Sequence, residues 1–264
     1  PAVDAARVQR DEMRLRPPSE DITADVVDGR LLGAPSGDEW SQLTPAEVGA
    51  RLQDYLRVAM DNPGFEVFGF DLPGLNHEIV RDYARSIVEL YNGFPQADLR
   101  GVGIGDLSDG VLGQTERFYD GASDLAFTTI TLGYDYATSA ERLHAAMQRG
   151  VDSGRFHSEV LGRPVFAVAA HEYGHALDAA GRLAARADAE DALDEAFRND
   201  RTDPAMDADA WRRQLSGYSF DEQGLLRPHE AVAEAFAEVR LVGRDQASAP
   251  ARALYDLLTR TAEN

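Results

Sequence analysis

The sequence predicts an α+β fold: a small mixed sheet in the first half, one buried helix after it, and a mostly helical C-terminal half. Three observations carry that prediction. Short runs rich in β-branched and aromatic residues, of which LAFTTITL at residues 125–132 is the strongest, all fall before residue 135. The stretch at residues 165–180 is rich in alanine and apolar on most sides, as a helix enclosed by protein must be. Beyond it only helical periodicities recur.

Residues 1–43 have no apolar period. They contain Pro17-Pro18 and a Gly/Pro/Ser stretch at 33–37, and read as an extension or linker. Thr44-Pro45 supplies an N-cap hydroxyl and a first-turn proline, so a helix is expected from there to about Met60, ended by Asn62-Pro63-Gly64. Residues 65–70 alternate as a short strand. Ile79, Ala84, Ile87, Val88 and Tyr91 then mark one face of a helix that Asn92-Gly93 stops. Strand-like pieces follow at 99–104, 117–119 and 125–132, then a helix at 139–149 and the buried helix closed by Gly181. An acidic, alanine-rich helix is expected at 187–197, a polar loop at 199–204, and a last helix pair at 228–242 and 250–261. The expected division is an N-terminal extension, linker and first helix over 1–60, with the main domain over 61–264.

Composition narrows the function. Of 264 residues 44% are apolar, a soluble globular proportion, and no apolar run approaches the roughly 20 residues that span a bilayer. The polar N-terminus lacks the apolar stretch of a secretory signal, and the chain begins at Pro1. We read it as a piece of a longer protein, secreted or delivered as part of it. There is no cysteine, which excludes disulfides, thiolate metal sites and the cysteine-dependent zinc deaminases. A net charge of −20 argues against nucleic acid and anionic membranes as partners. It would steer a basic peptide inward, although a solubilising acidic surface accounts for the same charge. All 26 basic residues are arginine. GC-rich coding accounts for that, and so would escape from lysine-directed tagging inside a host cell.

The chemistry is concentrated in residues 167–181, AVAAHEYGHALDAAG. His171 and His175 are four apart, so on a helix both imidazoles leave one face and can share one Zn²⁺. Glu172 follows the first histidine, close to that metal without being aimed to bind it. There it can serve as general base toward water. The extended HExxHxxGxxH pattern fails, because Asp178 and Gly181 stand where its glycine and third histidine belong. The third ligand must then come from downstream. HEAVAEAFAEVRL at residues 229–241 offers Glu230 and Glu234 one turn apart on an apolar helix. Glu230 is the preferred ligand, with His229 its rival about 100° round the helix. Glu234 can accept a hydrogen bond from a ligand imidazole and fix its tautomer. Asp178 fits either a supporting role behind the metal ligands or a polar helix end.

Those two helices resemble the gluzincin metallopeptidases, and most closely the anthrax lethal factor-like catalytic domain. The matching residues are HEYGHALD at 171–178 and Glu230, Ala233, Glu234, Ala235 and Phe236. The likeness is close over the two helices and loose over about 75–245. It implies a zincin-like catalytic domain, Glu230 as third zinc ligand and Glu234 as its supporting partner. It also implies a tyrosine hydroxyl aimed at the oxyanion, for which Tyr218 is the candidate. Twelve residues separate Tyr218 from Glu230, more than the family pattern has, and a packed core tyrosine is the other reading. Such peptidases bind substrate as an extra strand on a sheet edge, and residues 125–132, with Thr129 and Thr131, are the expected edge. The expected function is zinc-dependent endopeptidase of a protein or peptide substrate, as the catalytic domain of a toxin or effector. The alternatives are a self-processing protease domain of a larger protein, such as a phage structural protein, and a catalytically inactive zinc-binding interaction domain.

Overall fold

The structure is a computed structural model that describes residues 40–120, 125–200 and 205–263. Residues 1–39, most of the expected extension over 1–43, and most of the polar loop near 199–204 lie outside the described residues. The chain divides into two compact units. One holds the described residues up to Pro95 together with Leu99–Arg142, and the other holds Gln96–Asp98 and everything from Leu143 onward.

In the first unit, helix α1 (Pro45–Ala59) begins as the sequence predicts. The Thr44 hydroxyl accepts from the Glu47 amide, and Glu47 Oε2 accepts from the Thr44 amide at 2.8 Å, a reciprocal cap. Helix α2 (His77–Gly93) is capped by Asn76, whose Oδ1 accepts from the amides of Glu78 and Ile79. The strands are β1 (Glu66–Phe68), β2 (Leu99–Gly105), β3 (Gly113–Asp120) and β4 (Leu125–Gly133), in the order β1-β2-β4-β3. β1, β2 and β4 run parallel and β3 runs antiparallel to β4, so the sheet is mixed. A short helix α3 (Tyr134–Ala137) follows β4.

Two expectations change here. β4 is hydrogen-bonded on both sides, by β2 and by β3, so residues 125–132 are an interior strand and not an edge. Thr129 and Thr131 are 1% and 0% exposed. Both faces of β4 are covered over Thr128–Leu132. Neither threonine can receive a substrate strand. The second change concerns the boundary near residue 60. α1 is built into the sheet unit: Arg57 Nε donates to the Phe65 carbonyl at 2.8 Å, and the Val67 amide donates to Gln53 Oε1 at 3.0 Å. The division falls between Arg142 and Leu143, within helix α4 (Ala140–Asp152).

The second unit is helical among its described residues: α5 (Pro164–Ala180), α6 (Ala184–Asn199), α7 (Ala208–Arg212), α8 (Pro228–Val242) and α9 (Ala249–Ala262), with 3₁₀ turns at Ser158–Gly162 and Gly217–Ser219. A row of stacked rings, Tyr173 on α5, Phe236 on α8 and Tyr255 on α9, with centroids 6.3 and 5.7 Å apart, ties three helices into one core. Twelve of the 17 residues of α5 are buried, which is why its sequence is apolar nearly all round. The α+β class therefore holds, with nine α-helices and one four-stranded mixed sheet among the described residues. None of these helices is long and apolar enough to cross a membrane.

Candidate metal centre

The site lies wholly within the second unit, where α5 and α8 come close enough for their backbones to approach. Gly174 makes that approach possible, because a Cβ built on it would lie 2.9 Å from Ala233 Cα and 3.3 Å from Ala233 Cβ. Gly174 stands one position before His175 and Ala233 one before Glu234, so the contact sets the spacing between ligand-bearing turns. Gly174→Val is expected to destabilise the protein by about 2–3 kcal/mol through overpacking against backbone. Its metal affinity should fall with it, and a denaturant titration beside a metal titration checks both.

Three atoms converge there. His171 Nε2 and His175 Nε2 are 3.1 Å apart, and Glu230 Oε2 is 3.2 Å from the first and 3.4 Å from the second. Ligands about 2.0–2.1 Å from a tetrahedral ion stand about 3.3–3.4 Å from one another, so the triangle already has the edge lengths of such a site. Glu230 Oε2 is buried and completes no hydrogen bond among the described residues, whereas Oε1 accepts from Arg227 Nη2 at 3.0 Å. A carboxylate with one oxygen engaged and the other left to face two imidazole nitrogens is what a monodentate ligand requires. Among the described residues this is the one His/Asp/Glu group able to hold a metal ion.

The charges at the site are coupled. Burial disfavours a charged His171, but contacts with Glu230 and Glu234 and the field of Glu172 outweigh it and push the imidazole well above its ordinary pKa. Burial would likewise raise Glu230, yet the two imidazoles hold its carboxyl well below the usual carboxylate range. The carboxylates therefore favour the protonated form of His171, and an incoming metal competes with that proton. Metal uptake is expected to release protons, and more of them as the pH is lowered. Affinity should rise with pH until the folded-state pKa of His171 is passed, then level off. Calorimetric titrations in buffers of different ionisation enthalpy measure the release directly.

The surrounding residues meet the sequence expectations unevenly. Glu234 reaches the ligand shell from behind, with Oε1 2.7 Å from His171 Nδ1. Its Oε2 accepts from the buried Ser216 hydroxyl at 2.5 Å. Tyr218 lies on the Gly217–Ser219 turn with its ring centroid 5.6 Å from that of His171, so it belongs to the site and is half-buried. Glu172 is 6% exposed. It does not contribute to the three-atom group, yet its charge acts on His171. His229 Nε2 is 3.5 Å from Glu230 Oε1 and falls outside the three-atom group.

Asp178 is committed elsewhere. It is fully buried, its Oδ1 accepts from the Arg186 amide at 3.2 Å, and its Oδ2 pairs with Arg186 Nε. Both oxygens fasten the end of α5 to the start of α6. The supporting role behind the metal is thus corrected to the helix-end role. Ser216 and Arg227 were not legible as site residues. A lone serine and a lone arginine carry no spacing signal, although Ser216 stands two residues before Tyr218 and Arg227 two before the segment at 229–241.

Compared with known proteins, the chain matches no family model, no curated protein and no solved structure. The fold and site by themselves define an α+β protein with a His–His–Glu group, its glutamate buried, able to hold a metal ion.

Proposed function

We propose that this chain is a zinc-dependent endopeptidase with a zincin-like catalytic unit, acting on a protein or peptide substrate as the catalytic part of a toxin or effector. The observation that carries the reading is the triangle of His171 Nε2, His175 Nε2 and Glu230 Oε2, with edges of 3.1–3.4 Å, joined to a buried Glu172 one residue after His171. Two imidazoles and one carboxylate are the donor set that a catalytic zinc takes while keeping a position open. The resemblance of both helices to the lethal factor-like peptidases supports the same assignment.

In this reading His171, His175 and Glu230 hold the ion, and Glu234 and Ser216 fix the His171 ring. When bound, zinc polarises the scissile carbonyl and acidifies water. Glu172 accepts a proton from the attacking water and delivers it to the departing amine nitrogen as the C–N bond breaks. The Tyr218 hydroxyl donates to the oxygen that gains negative charge. Arg227 holds Glu230 Oε1 and keeps Oε2 turned toward the histidines.

Elemental analysis of the purified protein, with incubation against a complex mixture of unfolded proteins read by mass spectrometry, tests the proposal. About one zinc per chain is expected, with new peptide termini that vanish on chelation and return on adding zinc. Zinc without new termini would leave a metal-binding domain, and no zinc after reconstitution would end the peptidase reading.

A further inference from the structure

The chain carries 46 acidic residues against 26 arginines, and several arginines of the second unit are paired with them. Arg186 pairs with Asp178, Arg212 with Asp194, Arg227 with Glu230 and Arg244 with Asp256. Arg155 makes no ion pair among the described residues, although it is exposed. Its guanidinium carbon lies 4.3 Å from the ring centroid of Tyr218, and that ring is 5.6 Å from His171. Arg155 is therefore within about 10 Å of a metal-ligand imidazole, the span of about three residues of extended chain.

Its place is built rather than incidental. The Arg155 amide donates to the Gly150 carbonyl at 2.8 Å, and the Arg155 carbonyl accepts from the Tyr218 amide at 2.9 Å. The Gly217 amide donates to the Gly154 carbonyl at 3.1 Å, and any Cβ on Gly217 would overlap that carbonyl. Phe156 meets the Tyr218 ring edge-on at 5.9 Å, and the Arg227 guanidinium lies 5.2 Å from the same ring. Two segments are thus latched together so that an exposed cation stands over the tyrosine beside the candidate metal centre. A guanidinium stacked on an aromatic face keeps its forked N–H edge for a planar anion, and a carboxylate fits that fork in two parallel hydrogen bonds.

We propose that Arg155 on Tyr218 is a carboxylate-recognition site, so that the substrate bears a carboxylate within about three residues of the bond to be cut; this rests on the peptidase reading. The overall charge of −20 would favour basic peptides at long range. At this rim the exposed Arg155 guanidinium carries the opposite charge and selects an acidic group. The carboxylate belongs either to an aspartate or glutamate side chain or to the C-terminus of the peptide.

The test uses zinc-loaded Glu172→Gln protein titrated with three mixed peptide pools. They are Ac-Xaa-Xaa-Asp-Xaa-Xaa-amide, the same pool with Asn at the centre, and the Asn pool with a free C-terminal acid. The Asp pool is expected to bind about tenfold more tightly than the Asn amide pool. That ratio should fall to about one on adding Arg155→Gln and be partly kept by Arg155→Lys, since lysine retains the charge without the fork. An Arg155-dependent gain confined to the free-acid pool assigns the carboxylate to a chain terminus. Equal binding of all pools, or a gain that survives Arg155→Gln, overturns the proposal. Turnover of the same pools by the wild-type protein keeps the two readings apart. Arg155-dependent binding without any cleavage sinks the peptidase reading alone, and cleavage without an Arg155-dependent preference sinks the carboxylate site alone.

Discussion

Under the peptidase proposal, Glu172→Gln is expected to lower peptide turnover by about a thousandfold while leaving about one metal per chain and an unchanged fold. The geometry separates these effects. Glu172 supplies no atom to the group formed by His171, His175 and Glu230, so its loss removes no ligand. It is buried on α5 beside His171, and glutamine has nearly the same volume, so packing is preserved. An amide cannot accept and return a proton at neutral pH, which removes the transfer from water to the amine nitrogen. Removing the negative charge also removes one of the influences that raise the His171 pKa, so the metal-free variant should take up metal with slightly less proton release. Initial rates on a cleaved peptide, metal content and thermal unfolding of both proteins measure all three. Activity above about a tenth of wild type would take Glu172 out of the proton-transfer role.

What was legible in the sequence was what depends on local pattern. Thr44-Pro45 announced α1 because a cap needs only its own next three residues. The helix over Pro228–Val242 and its Glu230/Glu234 pair were readable because helical spacing alone puts them one turn apart. What failed depends on partners distant in sequence. Residues 125–132 look the same as edge or interior strand, and only the return of β3 along the far side of β4 decides it. Asp178 shares the face of His171 and His175 by period, but Arg186, brought back by the turn after α5, claims both its oxygens. Ser216 enters the site only because the Gly217–Ser219 turn docks on α8, a contact without sequence period. The first helix was grouped with the N-terminal extension and linker because residues 1–60 carry no functional motif. Its hydrogen bonds to Phe65 and Val67 place it in the sheet unit instead.

Glu230→Ala should abolish metal binding under conditions in which the wild-type protein holds it, and this distinguishes a three-ligand centre from a histidine pair. The four positions of a structural zinc share roughly 10–16 kcal/mol, so one lost protein ligand costs about 3 kcal/mol, or more than a hundredfold in affinity. The loss here is compounded. The 7% exposed carboxylate is the anion nearest both imidazoles, and without it the two Nε2 atoms face each other at 3.1 Å with a cation between them and less charge to balance it. Arg227 would lose its partner at the same time and add repulsion. Glu234→Ala makes the sharper comparison. It removes the partner 2.7 Å from His171 Nδ1 but no ligand, so affinity should fall only about 10–100-fold, and Ser216→Ala less still. Competition titrations against a chelator of known affinity rank the three variants, and the order Glu230, Glu234, Ser216 is expected. Metal retained at full affinity in Glu230→Ala would mean that another group closes the site, with His229, whose Nε2 is 3.5 Å from the Glu230 carboxylate, the first to replace. A ranking led by Glu234 would mean that its carboxylate, and not that of Glu230, swings onto the ion.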